Sequence, residues 1–124
     1  MDIPESLKYS NEHEWLAADG KVGITAFAVE QIGDIVFVEL PAVGTKVEAT
    51  KPFGVIESVK AVSELFAPAT GTVVEINDSL VNSPEVVASD CYGAGWLVRI
   101  EVSDPNTANA LKDAAAYRAM IASL

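Results

Sequence analysis

Lys60 is the only basic residue between Lys51 and Arg99, and residues 52–98 hold six acidic side chains. A solvated surface normally mixes its charges, so one cation among acids and small apolar residues is an unusual pattern. A lysine amine is also a common site of covalent acylation, and acylation removes its charge. The first chemistry to consider is therefore acylation of the Lys60 amine.

The neighbours of Lys60 predict that it is presented on a shaped turn. Val59 and Ala61 are apolar or small rather than polar turn residues, and Glu57 and Glu64 lie three residues before and four residues after the lysine. The ordinary alternative to acylation is that Lys60 is only a hydrated charge on the protein surface. A catalytic Schiff-base lysine fits less well, because it needs a desolvated pocket and these carboxylates favour the charged amine.

A short internal echo also places Lys60 near a turn. Residues 44–48 (Gly-Thr-Lys-Val-Glu) return as residues 71–75 (Gly-Thr-Val-Val-Glu), and the midpoint of the two copies falls beside Lys60. If the copies are equivalent strands of two related halves, Lys60 lies near the connection between them. Chance similarity over five residues is the alternative.

The remaining reactive residue types do not form a catalytic or metal-binding set. His13 lies between Glu12 and Glu14, but consecutive residues of a strand point to alternate faces, so we expect a surface or partly packed histidine. Cys91 has no histidine near it in sequence and is expected to be a buried structural thiol. Gly93 lies in an incomplete glycine motif that predicts a turn. We therefore expect neither catalytic residues nor a metal site.

Composition limits the classes of partner. The formal net charge of −10 over 124 residues disfavours nucleic acid and anionic membranes, which repel an acidic surface. A single cysteine excludes an internal disulfide, and no apolar run approaches the ~20 residues of a membrane span. The first residues resemble neither a secretion signal nor a transit peptide. We expect a cytoplasmic monomer.

The first third of the chain predicts a hairpin, a helix and a strand. Asp19-Gly20 between apolar runs indicates a hairpin turn whose two residues both adopt positive φ. Thr25 as N-cap and Gly33 as C-cap frame a short helix near residues 26–33. The β-branched and aromatic residues of 34–40 predict a largely buried strand.

The rest of the chain predicts short strands followed by a helix. Turn residues recur every 8–12 positions, which is typical of a β sandwich or barrel, and residues 96–102 form its last strand. Asp104-Pro105 begins a C-terminal helical segment of one or two pieces. Apolar residues at helical spacing in this segment should face the core: Tyr117, Met120, Ile121 and Leu124. We expect one domain over 1–124, with a sandwich at about 12–103 and helix at about 105–122.

Several motifs together resemble the H protein family of the glycine cleavage system. The resemblance covers nearly the whole chain and rests on these segments: 7–9 (Leu-Lys-Tyr), 13–15 (His-Glu-Trp), 22–25 (Val-Gly-Ile-Thr), 32–41 (Ile-Gly-Asp-Ile-Val-Phe-Val-Glu-Leu-Pro), 57–61 (Glu-Ser-Val-Lys-Ala), 63–64 (Ser-Glu), Pro68, Gly71, Val73, 75–77 (Glu-Ile-Asn), 83–85 (Ser-Pro-Glu) and 92–96 (Tyr-Gly-Ala-Gly-Trp). Cys91 and Ala94 depart from the residues common in the family, and both lie away from the lysine motif.

The resemblance implies a mostly β, lipoyl/biotinyl-type barrel-sandwich hybrid with helices at its edge. It implies lipoate in amide linkage on Lys60 and a non-catalytic carrier role. The arm would take the aminomethyl group of glycine from a pyridoxal-phosphate glycine decarboxylase to a tetrahydrofolate-dependent aminomethyltransferase. A flavoprotein dihydrolipoamide dehydrogenase would then reoxidise the dithiol. A lipoate-attaching enzyme is the fourth implied partner.

The same resemblance assigns roles to residues beside the lysine and to a nearby surface. Recognition by the attaching enzyme or the partners is expected at Glu57, Ser58, Val59, Ala61 and Glu64. Glu14 and the helix at residues 26–31 are expected to cover the loaded arm, whose adduct water would hydrolyse.

Three other functions remain open from the sequence. The first is a lipoyl or biotin carrier of a different complex, although biotin carriers favour methionines beside the lysine. The second is an H-like protein that relays lipoate to other lipoyl enzymes. The third is an unmodified interaction module in which Lys60 is structural.

Overall fold

In the computed structural model, which describes residues 1–124, nine short strands form two antiparallel sheets with four helices at their margins. The strands are β1 (Lys8–Tyr9), β2 (Glu14–Leu16), β3 (Lys21–Ile24), β4 (Ile35–Glu39), β5 (Lys46–Val47), β6 (Pro52–Ser58), β7 (Val62–Phe66), β8 (Gly71–Ile76) and β9 (Val98–Val102). The helices are α1 (Ala26–Ile32), α2 (Val86–Ser89), α3 (Pro105–Asn109) and α4 (Ala114–Ala122), with a 3-10 turn at Asp78–Val81.

The two sheets bury apolar side chains against each other. One sheet has the strand order β1-β2-β3-β9-β8-β5 and the other has the order β4-β6-β7. Ile24 of β3 shares a buried cluster with Val38, Ile56 and Leu65 of the smaller sheet. This arrangement is a sandwich, so the predicted mostly β fold class is confirmed.

The β2–β3 hairpin is present, but its turn differs from the predicted one. Of the two turn residues, only Gly20 has a positive φ, at 94°. The Gly20 N–H donates to the Ala17 carbonyl at 3.0 Å, and the Ala17 N–H donates to the Lys21 carbonyl at 2.9 Å. The turn therefore includes Ala17 and Ala18, and in this longer loop the Asp19 carboxylate accepts the Lys21 N–H at 3.0 Å.

Helix α1 begins and ends at the residues predicted from the sequence. The Thr25 hydroxyl accepts a hydrogen bond from the Ala28 N–H at 3.2 Å, which satisfies one free amide of the first turn. Gly33 ends the helix with a φ of 84°, and its N–H donates to the Val29 carbonyl. The caps fix the direction in which the chain enters β4.

Strand β4 is only partly buried, so the prediction of a largely buried strand is wrong. Its register with β6 shifts between Ile35 and Phe37, which marks a β-bulge. The bulge leaves Val36 and Phe37 exposed, while Ile35 and Val38 stay in the core. A bulge re-aims side chains because it adds one residue to one strand of a pair.

The echoing segments pair with each other around the lysine hairpin. β5 and β8 are antiparallel neighbours in which Lys46 faces Thr72, so their pairing is centred on residue 59. β6 and β7 form a hairpin in which Glu57 faces Val62, with the turn at residues 59–61. Both pairs therefore share a centre beside Lys60.

The C-terminal segment forms two helices, which is one of the two arrangements predicted from the sequence. Asp104 caps α3 with Pro105 at its first position, and Tyr117 of α4 is fully buried. Leu124 is 76% exposed, so its predicted packing is wrong, because α4 ends at Ala122.

Strand β9 begins two residues later than the sequence indicates. The Asn77 amide donates to the Trp96 carbonyl at 2.7 Å and to the Ala94 carbonyl at 2.9 Å. These bonds hold residues 94–96 in a turn rather than in the ladder.

Gly23→Ala is expected to destabilise the fold by about 2 kcal/mol through overpacking. A Cβ at Gly23 would lie 2.4–2.6 Å from atoms of the Trp15 indole, which is buried and donates to the Ile24 and Cys91 carbonyls. Urea denaturation measures the loss. In a Trp15→Phe background the same substitution should cost less, and an equal cost in both backgrounds would contradict the steric explanation.

Candidate functional site

Lys60 lies at the tip of the β6–β7 hairpin, and Ser58 fixes the shape of that tip. The buried Ser58 hydroxyl accepts the Ala61 N–H at 3.1 Å and donates to the Ala61 carbonyl at 3.2 Å. The Ser58 N–H donates to the same carbonyl at 2.8 Å. The Val59 N–H donates to the Asp34 carbonyl at 3.0 Å, which ties the tip to the chain before β4. The lysine is thus carried by an ordered backbone.

The Lys60 amine is exposed and makes no ion pair. The two ion pairs of the chain are Arg99–Glu75 and Arg118–Glu5. Glu57 and Glu64 therefore flank Lys60 in sequence without binding its amine. The stem of Lys60 lies over the end of α1: a Cβ placed on Gly33 would be 3.4 Å from Lys60 Cε and 3.8 Å from Nζ. The amine is free to react and starts from a defined position.

A cleft of about 380 Å³ lies beside the hairpin, between α1 and β7. Glu14 and helix α1, which the sequence analysis expected to cover the loaded arm, both line this cleft. Twelve residues line the cleft: Glu12, His13, Glu14, Ile24, Phe27, Ala28, Gln31, Ile32, Ser63, Glu64, Leu65 and Leu124. Three carboxylates on otherwise mostly apolar and neutral walls suit a ligand with an apolar body and a cationic end.

Glu14 is a buried residue with 2% of its surface exposed, and it lines both this cleft and a second cavity of about 370 Å³ that Ser10 and Phe66 also line. The Ser10 hydroxyl donates to Glu14 Oε1 at 2.6 Å, and the Phe66 N–H donates to Oε2 at 3.3 Å. Burial raises the pKa of Glu14 to about 8, although these two hydrogen bonds act in the opposite direction. No cationic side chain of the protein pairs with this group. A cation delivered to the cleft would stabilise its ionised form.

A hydrogen-bonded network behind the cleft was missed by the sequence reasoning. The Tyr117 hydroxyl lies 2.8 Å from His13 Nδ1 and 2.7 Å from Thr25 Oγ1. It joins α4 to the turn before β2 and to the cap of α1. Burial lowers the pKa of His13, whose ring also packs against Phe27 with centroids 4.7 Å apart. Partners 92 and 104 residues apart leave no local signal in the sequence.

Cys91 is a buried free thiol near the Trp15 side of the fold, as predicted. Burial raises its pKa to about 11, so the thiol stays protonated and unreactive near neutral pH. No group of three or more His, Cys, Asp and Glu side chains has the arrangement of a metal site. None of the helices is both long and apolar enough to span a membrane.

Comparison with known proteins gives one consistent family. The family profile described as Glycine cleavage H-protein matches residues 7–124. A glycine cleavage system H protein of Anaeromyxobacter sp. (strain K) is 54% identical over 124 residues, covering 98% of this chain and 97% of its own length. The Myxococcus xanthus protein of the same description is 54% identical over 123 residues, covering 97% and 95%.

A solved structure agrees with the sequence comparisons. The crystal structure of a glycine cleavage system H protein from Mycobacterium marinum superposes with a TM-score of 0.84 at 42% identity. The match covers 97% of this chain and 99% of the other. The similarity extends from the first strand to the last helix, and the chain belongs to the glycine cleavage H-protein family.

Proposed function

We propose that this protein is the lipoyl carrier of a glycine cleavage system, with lipoate in amide linkage on Lys60 Nζ. The observation that carries the proposal is an exposed, unpaired lysine amine on a hairpin tip that side-chain and backbone hydrogen bonds hold in shape. A tethered carrier needs a flexible arm on a rigid base, because the tether raises the effective concentration of the reactive group at each partner.

The carrier itself supplies no catalytic group in this proposal. At a pyridoxal-phosphate decarboxylase, glycine loses CO₂ and its aminomethyl group becomes bonded to one lipoyl sulfur as the disulfide is reduced. A tetrahydrofolate-dependent aminomethyltransferase takes the methylene group and releases ammonia. The dithiol left on Lys60 returns two electrons and two protons to dihydrolipoamide dehydrogenase, which re-forms the disulfide.

The residues beside Lys60 are proposed to direct recognition by the attaching enzyme and the partners. Ser58 holds the turn, and Val59 and Ala61 present small or apolar surfaces on both sides of the lysine. Glu57 and Glu64 supply negative charge that does not neutralise the amine. Together they give a short, rigid and acidic frame around one amine.

The cleft between α1 and β7 is proposed to hold the loaded arm. The aminomethyl adduct ends in an amine that is cationic when protonated, and Glu12, Glu14 and Glu64 supply the carboxylates. A protonated amine has no lone pair with which to expel the thiolate, so pairing with a carboxylate protects the adduct. Exclusion of water by the apolar walls adds to this protection.

The proposal is tested by two measurements on the purified protein. From cells that synthesise lipoate, intact-mass analysis should find one lipoyl group per chain. The lipoylated protein should then support glycine–¹⁴CO₂ exchange by a glycine decarboxylase, whereas the unlipoylated protein should not. A lipoylated protein without exchange activity would point to lipoate relay, and an unmodified mass would overturn the carrier role.

A further inference from the structure

Four of the eight exposed large hydrophobic residues of this protein gather around the lysine hairpin. Val36 is 53% exposed, Phe37 47%, Val59 76% and Val62 67%. We call these four residues the outer apolar patch. Scattered surface apolar residues are ordinary, but a group of them beside a reactive side chain marks an interaction surface.

The strand register places part of this patch on one solvent-facing row. Phe37 faces Glu57, and Glu57 faces Val62, so the three side chains lie on the same face of the smaller sheet. The neighbouring residue Ile56 is fully buried, which fixes the opposite face as the core side. The bulge in β4 exposes Val36 as well.

Acidic side chains surround the outer apolar patch. Two residues farther along the strands, on the same face of the sheet, Val55 of β6 pairs with Glu39 of β4 on one side and with Glu64 of β7 on the other. Asp34 lies just before β4. Lys60 is the only cation of residues 52–98, and acylation removes its charge. The complementary surface is therefore apolar at its centre and carries lysine or arginine side chains at its rim.

We propose that the outer apolar patch is the docking surface for the enzyme that acylates Lys60. Before modification, the only spacer is the four-carbon stem of the lysine, whose end lies against Gly33. An enzyme that brings an activated carbonyl to Nζ must therefore contact the hairpin and the strands beside it. The enzymes that act on the longer, finished arm are free to bind farther away.

The chemistry of the step explains why a docking surface is needed. Nζ attacks the carbonyl carbon of an acyl adenylate, the amide bond forms, the bond to the phosphate oxygen breaks, and AMP and a proton leave. The amine contributes one nucleophilic atom and few contacts of its own, so affinity has to come from its surroundings. Val36 and Phe37 supply apolar area near the tip without blocking the amine.

Steady-state lipoylation kinetics test this proposal, which rests on the carrier function proposed above. The probe is a purified lipoate-attaching enzyme with lipoate and ATP, and the unlipoylated full chain is the varied substrate. Phe37→Thr and Val62→Thr should each raise the KM for the protein about tenfold or more, with kcat changed less than about twofold. The matched control is Val43→Thr, because Val43 is 59% exposed and follows the end of β4 that lies away from Lys60, since it is the other end of β4 that pairs with Ser58 near the hairpin tip. This substitution should leave both constants unchanged.

The outcomes separate the docking proposal from the carrier function. If the wild type is lipoylated and Phe37→Thr and Val62→Thr keep its KM, the docking proposal is overturned and the carrier function stands. A raised KM only at the decarboxylase would also overturn it, since the patch would then serve a different partner. A wild type that accepts no lipoyl group would overturn the carrier function itself. Urea denaturation of each variant checks that these exposed substitutions leave the midpoint urea concentration of unfolding at the wild-type value.

Discussion

Lys60→Arg is expected to abolish lipoylation and glycine–CO₂ exchange while leaving the fold unchanged. Arginine keeps the positive charge and much of the length of lysine, but its guanidinium stays protonated and is a poor nucleophile for an activated acyl group. The Lys60 side chain is exposed and makes no ion pair, so the change in unfolding free energy should stay within about 0.5 kcal/mol. Intact-mass analysis, the exchange assay and urea denaturation measure the three effects.

The matched control for this substitution is Lys51→Arg. Lys51 is also an exposed lysine, and it lies just before β6 rather than at the hairpin tip. The control should be lipoylated and active like the wild type. A lipoyl group on Lys60→Arg would show that another lysine is the attachment site, and a large loss of stability would give Lys60 a structural role.

The parts of the fold that sequence reasoning predicted correctly depend on neighbouring residues. Thr25 and Gly33 define α1 because a capping hydroxyl and a positive φ act within one turn of the helix. Asp104 and Pro105 begin α3 for the same kind of reason. The family and the fold class were also predicted correctly, because the resemblance used motifs spread over the whole chain.

Two of the errors, at β4 and at the start of β9, arise because residues far away in sequence decide the local structure. Residues 34–40 have the composition of a buried strand, but the bulge opposite β6 turns Val36 and Phe37 outward. The register of β4 depends on a partner about 20 residues away, so periodicity within the segment cannot show it. The same holds for Trp96, which the side chain of Asn77 removes from β9.

The candidate site likewise has a part that the sequence predicts and a part that only the folded structure shows. The isolated lysine and its acidic neighbours are visible in the sequence, because both features can be read from the residue types of one continuous segment, residues 52–98. The cleft is a property of the packed structure, since Glu14, α1 and β7 meet only after the sheets have formed. The Tyr117 hydroxyl contacts His13 and Thr25, which are about a hundred residues away in sequence. The helical spacing of apolar residues predicted only that Tyr117 is buried in the core, and not that it forms these hydrogen bonds.

Glu14 makes the link between the cleft and function open to a direct test. A buried carboxyl group with no cationic partner costs stability once it ionises, and a protein selected for stability alone would place a neutral residue there. Glu14 keeps two hydrogen bonds but no counter-ion from its own chain. The missing cation is the one that the proposed aminomethyl arm would bring.

Glu14→Gln should stabilise the unloaded protein at high pH, by a few kcal/mol, and should weaken protection of the loaded arm. The pKa of Glu14 is raised from 4.5 to about 8, so the wild type binds this proton more tightly when folded. Its contribution to stability is full below pH ~4.5 and is lost as the pH rises to about 8. Glutamine does not ionise; its carbonyl oxygen can accept the Phe66 N–H, and its amide N–H can donate to the Ser10 hydroxyl oxygen in place of the bond that Glu14 accepts. The difference between the two unfolding free energies should therefore be small at pH 4, grow through this window and level off above it.

The functional arm of the same experiment follows formaldehyde release from the aminomethyl-loaded protein at pH 7. Hydrolysis should be about tenfold faster in Glu14→Gln, because an amide cannot pair with the ammonium group as a carboxylate does. Glu85→Gln provides the control, since that carboxylate lies at the start of α2 outside the cleft. A variant that gains stability but hydrolyses its adduct at the wild-type rate would remove Glu14 from the arm site. Gain of stability together with loss of protection would instead show that the burial of this carboxyl group serves the carrier function.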